Sequence, residues 1–205
     1  MKYVLYAVLI IAVISAAATL IHLYKVSAKN KAEMSKYESG VKLTANLGKV
    51  LVIYYSLSGR TKDIALDIQL FTNGDIYEIK PQEEIKNNAS LYLTSKKQIS
   101  SEEYPAIVQD FPNIDKYDVI FVGSPVWWYT AATPVLEFLK EFDFKNKKVV
   151  PFSTQGSNYG TYFEDFKNKA KNANILQGES FNNLDEKYNA AVKNKIINWL
   201  NKLGD

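Results

Sequence analysis

At 205 residues, with 47% hydrophobic residues, a formal net charge of +3 and no cysteine, the chain has room for one well-cored domain and a short appendage. The missing cysteines exclude disulfides, thiol catalysis, iron–sulfur ligation and thiolate-bound zinc. A single histidine, His22, excludes a multi-histidine metal site and a Ser-His-Asp triad, so any redox chemistry has to reside on an organic cofactor.

The chain opens on an apolar run, Val4 to Tyr24, long enough at about 1.5 Å per residue to span a bilayer core. Tyr3, Tyr6 and Tyr24 stand near its ends, where amphipathic aromatic rings favour the membrane interface. Residues 1–24 read as a retained single-pass anchor; the alternative is a secretory signal cut near Ala16-Ala17-Ala18 and a secreted domain. Residues 1–47 hold six lysines against two acids and the remainder is almost neutral, so the basic excess points to a membrane neighbour and not to nucleic acid. Lys25, Lys29 and Lys31 outnumber the charge ahead of the run, which places the rest of the chain on the cytoplasmic side. Residues 25–47 are polar and aperiodic and read as a tether.

From about Gly48 to Asp205 the chain alternates short β-rich runs with helical patterns, the signature of an α/β domain with a parallel sheet covered on both faces. Strands are expected at Lys49–Tyr54, Asp75–Lys80, Asp118–Gly123, Lys148–Ser153 and Ile175–Phe181. Helices are expected from Arg60 to Phe71, near Leu91–Lys97, from Glu103 to Phe111, from Pro134, from Tyr162, and from Asp185 to Leu203. Right-handed crossovers make a three-layer sandwich the simplest topology.

In such sheets ligands bind beyond the carboxyl ends of the strands, where strand order reverses. The loop after the first strand, Ser56-Leu57-Ser58-Gly59-Arg60-Thr61, sets hydroxyls and a glycine at the start of a helix, which suits a phosphate. It would equally suit a plain cap and turn. Neither GxxxxGK[ST] nor GxGxxG is present, so the loop is not that of a nucleotide hydrolase or a dinucleotide-binding fold. The loop after the third strand runs Pro125-Val126-Trp127-Trp128-Tyr129, and three adjacent aromatics in a loop cannot all face the core. The loop after the fourth strand, Thr154-Gln155-Gly156-Ser157-Asn158, combines amides and hydroxyls with a glycine that allows close backbone approach. Together the three loops specify a ligand with a phosphate and a flat polar ring.

In order and spacing these loops resemble those of flavodoxins, specifically short flavodoxin-like proteins with a Pro-x-Trp-Trp loop, over about Gly48 to Leu203. The resemblance implies a five-stranded parallel sheet in the order 2-1-3-4-5 and FMN as cofactor. It implies that Ser56, Ser58, Gly59, Arg60 and Thr61 hold the phosphate. Pro125, Val126, Trp127 and Trp128 would flank the isoalloxazine, and Thr154, Gln155 and Gly156 would meet its polar edge. Two departures stand out: Tyr129-Thr130 where relatives often carry Gly-Thr, and no histidine in the third loop to move a proton. The expected function is electron carriage at a membrane, in exchange with redox partner proteins or a small-molecule acceptor. The alternatives are an FMN-dependent NAD(P)H or quinone oxidoreductase and a flavin-free binding module.

Overall fold

A computed structural model describes residues 2–204. Its framework is β1 (Val50–Tyr54), which is buried throughout and lies inside a parallel sheet. Strand side chains alternate between faces. Leu51, Ile53 and Tyr55 enter one core, and Val50, Val52 and Tyr54 the other. Helices α2 (Arg60–Thr72) and α6 (Asn189–Gly204) cover the second core, where Trp199 meets Phe121 and Phe181 edge to face. Helices α4 (Thr133–Glu141) and α5 (Tyr162–Lys169) cover the first. The result is the expected three-layer α/β sandwich.

The sheet runs β2 (Asp75–Glu78), β1, β3 (Val119–Trp127), β5 (Lys148–Gln155), β6 (Asn174–Ile175), which is the expected 2-1-3-4-5 order. Two features add to the five expected strands. A two-residue β4 (Thr130–Ala131) folds back on the end of β3. The last strand is also divided into β6 and β7 (Glu179–Asn182), both parallel to β5. At Gly178, between them, a side chain would collide with the Pro151 carbonyl and the Phe163 ring.

The helix expected over Glu103–Phe111 does not form. The segment around it carries Pro105 and Pro112, and a proline disfavours helical geometry in the residue before it. Ile107 instead bridges Pro81 antiparallel, and Phe111 packs edge to face on Phe138 and Phe142. The helix before it, α3 (Ala89–Ser101), is longer than expected because Asn88 caps it, its side chain accepting from the Ser90 N–H.

The apolar run lies in α1 (Lys2–Met34), 33 residues long and exposed along its apolar stretch, with length and composition suited to a membrane span or a signal sequence. The reading of residues 25–47 as a polar tether needs correction. Helix α1 continues to Met34, and Asn30 and Met34 are buried against the domain. Residues 42–47 then form a strap: the Asn201 side chain accepts from the Thr44 and Ala45 N–H groups and donates to the Lys42 carbonyl. Leu43, Ala45 and Leu47 pack on the second core. That every-second-residue pattern of small and large apolar groups belongs to an extended strap rather than to a solvated linker.

Candidate functional site

The three loops converge at the carboxyl ends of β1, β3 and β5. Thr61 Oγ1 and Thr154 Oγ1 lie 2.7 Å apart, tying the first loop to the third. Tyr55, just beyond β1, meets Trp127 of the second edge to face at 5.9 Å. Burial pushes the Tyr55 hydroxyl up to about 12, so it stays neutral beside the aromatic loop.

The first loop enters α2 through Gly59 at φ 90°, a left-handed conformation that glycine adopts at little cost, and no side chain caps the helix. Ser58 is therefore not a cap. Ser56 Oγ is buried without a hydrogen-bond partner among the described residues, a costly arrangement unless something else approaches it. Arg60 reaches outward, Nη1 donating to the Leu184 carbonyl at 2.9 Å. A cavity of about 300 Å³ on that side is lined by Arg60 and Lys193 as well as Asp63 and Asp67, so its charges balance.

The second loop is a tight hairpin. Trp127 pairs with Thr130, leaving Trp128 and Tyr129 as its two central residues at φ 51° and 69°. Two-residue hairpins of this hand favour Asn-Gly, and bulky residues there cost of order 1–3 kcal/mol each. Neighbours hold the strain in place. The Trp128 indole N–H reaches the Tyr92 carbonyl and Ser95 Oγ, both at 3.2 Å, and its ring packs on Tyr92 at 4.1 Å under Lys96 Nζ. The Tyr129 carbonyl accepts from the Thr161 N–H. Thr130 Oγ1 is the second buried hydroxyl without a partner among the described residues.

Between this hairpin, the start of α3 and the third loop opens a cavity of about 490 Å³, lined by Tyr92, Val126, Trp127, Trp128, Gln155 and Gly156 among others. That volume accommodates a flat tricyclic ring. Gln155 is buried, accepting from Ser153 Oγ and donating to Asn182 Oδ1; Asn182 in turn donates to Asn30 on α1. Pro125 is half-buried and continues the β3–β5 ladder opposite Thr154. The contributions of Tyr92, Ser95 and Asn88 were missed in the sequence. The Asn88-Ala-Ser90 capping pattern was the available signal.

A family model described as flavodoxin matches residues 49–203. The chain belongs to the flavodoxin family. Solved structures agree with this. The chain is 29% identical to a flavoprotein from Lactobacillus acidophilus solved in complex with FMN, with a TM-score of 0.60 over 65% of this chain and 93% of that one. It is 29% identical to a flavoprotein from Bacteroides eggerthii, with a TM-score of 0.65 over 77% of this chain and 98% of that one. A flavoprotein from Bacteroides uniformis gives 26% identity and a TM-score of 0.64, over 75% and 97%. No curated protein matches the chain.

The flavodoxin family implies FMN, and the residues present fit it. The orphaned Ser56 hydroxyl sits where a phosphate would find it, at an uncapped helix start. At Gly59 and Gly156 nothing lies within 4 Å of where a Cβ would stand, so the backbone is open to a ligand. The donors are neutral apart from Arg60, as suits a phosphomonoester held by amides and hydroxyls.

Proposed function

We propose that this flavodoxin binds FMN in the cleft between its three loops and carries electrons while held at a membrane by α1. The observation that carries the reading is the buried, unpartnered Ser56 hydroxyl at the uncapped start of α2. FMN, when bound, supplies reversible electron transfer at its ring. Ser56, Ser58, Thr61 and the first-turn N–H groups of α2 hold the phosphate, with Arg60 adding charge at the mouth. Trp127, Trp128, Pro125 and Val126 wall the ring and exclude water. Thr154, Gln155 and Gly156 hydrogen-bond its edge, Gln155 being oriented by Ser153 and Asn182.

None of the residue types in these loops titrates near neutrality, and Tyr55 is held protonated, so these loops offer no proton shuttle at the ring. That favours carriage over substrate turnover. The apolar run continues past Ala16–Ala18 to Tyr24 and the only charged side chain ahead of it is Lys2, which supports a retained anchor over a cleaved signal. The lysines after the apolar run support a cytoplasmic domain.

The test is to purify the full chain in detergent, titrate FMN by fluorescence quenching, and add NADH or NADPH with a quinone. Saturable quenching without fast turnover is the expected outcome. Fast turnover replaces the carrier by an oxidoreductase, and absent quenching replaces both by a flavin-free module. Membrane fractionation of cells with protease protection reports anchorage and side.

A further inference from the structure

A third cavity, about 660 Å³, lies on the other side of the third loop, between it and α1. Its α1 wall is His22, Lys25, Val26, Lys29 and Glu33, whose spacing puts them on one helix face. Glu33 is already paired: Lys195 Nζ sits 2.6 Å from its carboxylate. Lys25 and Lys29 are exposed and, among the described residues, unpaired, so the cavity carries net positive charge. The facing wall includes Tyr129 and Tyr159, which are 59% and 43% exposed.

Position along α1 identifies the occupant. The apolar run ends at Tyr24, and at about 1.5 Å per residue Lys29 stands about 7.5 Å further along the axis. A headgroup layer is of order 5–8 Å thick on each side of the hydrocarbon. Lys25 and Lys29 thus fall in the phosphate layer, and Asn30 and Glu33, where the domain docks, lie beyond it at about 9 and 13.5 Å. Exposed tyrosines facing two lysines at that depth are the usual furniture of a membrane interface.

We propose that this cavity binds the headgroup of one anionic phospholipid, held by Lys25 and Lys29 and covered by Tyr129 and Tyr159. The inference rests on α1 crossing a membrane. An occupied site sets the third loop, and with it the ring edge at Gln155, against the bilayer surface.

Native mass spectrometry of the full chain, released from a neutral detergent and titrated with phosphatidylglycerol, phosphatidylcholine or inorganic phosphate, tests it. A lysine near an anionic surface strengthens association by about fivefold, so two should favour phosphatidylglycerol over phosphatidylcholine by about 30-fold. The K25A/K29A variant should lose that preference, while K36A/K42A, altered outside the cavity, should keep it. Equal binding of the two lipids, equal loss in both variants, or inorganic phosphate binding as tightly as phosphatidylglycerol would overturn the proposal. A chain that stays in solution without detergent refutes the anchor itself. A chain that needs detergent yet shows no preference refutes only the lipid site.

Discussion

Ser56 and Tyr129 carry opposite kinds of cost, and each predicts a separation of stability from binding. Ser56 Oγ is buried without a partner, so Ser56→Ala removes a desolvated hydroxyl and should leave the thermal midpoint of the flavin-free chain unchanged or raised. The same change should weaken FMN by about 10- to 100-fold, the worth of a hydrogen bond to a charged group. A fluorescence titration beside a melting curve checks both halves. Tyr129 is largely exposed at φ 69°, so Tyr129→Gly should stabilise the flavin-free chain by about 1 kcal/mol. It should also weaken FMN binding if the strained hairpin shapes the ring slot. A midpoint that falls instead would show that Tyr129 contacts outweigh the backbone strain. At this scale the sequence showed which residue types gather in the loops, because hydroxyls, glycines and adjacent tryptophans are legible as composition. It could not show that Trp128 turns toward Tyr92 and Ser95, since those partners lie more than thirty residues upstream in a segment without clear periodicity.

Among the elements, strands with continuous apolar runs were legible because burial on both faces leaves no polar alternation to misread. The failures have local causes. Prolines broke an apparent helix at 103–111, a crowded glycine divided the last strand, and a helix that changes from apolar to polar looked like the end of a helix at Tyr24. Lys195 shows the same effect within α6. It lies on the apolar face because the residue is 3% exposed and its ammonium bonds Glu33 of α1, Glu179 of β7 and the Ser180 carbonyl. Lys195→Ala should therefore cost on the order of 2 kcal/mol and loosen α1 from the domain. Faster proteolytic cleavage between Met34 and Gly48 than in the parent chain, with the domain core intact, is the expected pattern. Gly123→Ala should be more damaging than an ordinary strand substitution, since the new methyl would overlap the Phe152 ring across the central β3–β5 pair. A lowered midpoint with unchanged FMN stoichiometry in the surviving folded fraction would fit.

The whole molecule should respond to acid in two phases. Burial raises the carboxyls of Asp67 and Glu137, so the folded chain takes up their protons first and stability holds or rises slightly as pH falls through their raised values. Asp75, Asp115, Asp143 and Glu102 are lowered by hydrogen bonds from Tyr117, the Lys145 side chain, the Lys145 backbone and Lys169 respectively. Their contribution is present above the ordinary carboxylate range and is lost as pH falls through the lowered values. Midpoints measured at stepped pH should stay level to the ordinary carboxylate range and drop below it; a steady decline from neutrality would contradict this. The docking of α1 bears on partner choice in another way. A domain on a slack leash sweeps a hemisphere and needs surface charge to find its partner. Under the proposed anchoring, a domain seated on its helix through Asn30, Met34 and Glu33 would keep one attitude and one height above the bilayer. Selection by altitude would then replace selection by charge, which suits a domain that is almost neutral. On that proposal, a partner whose redox centre rode higher above the lipid than this cleft would be excluded however well its surface matched.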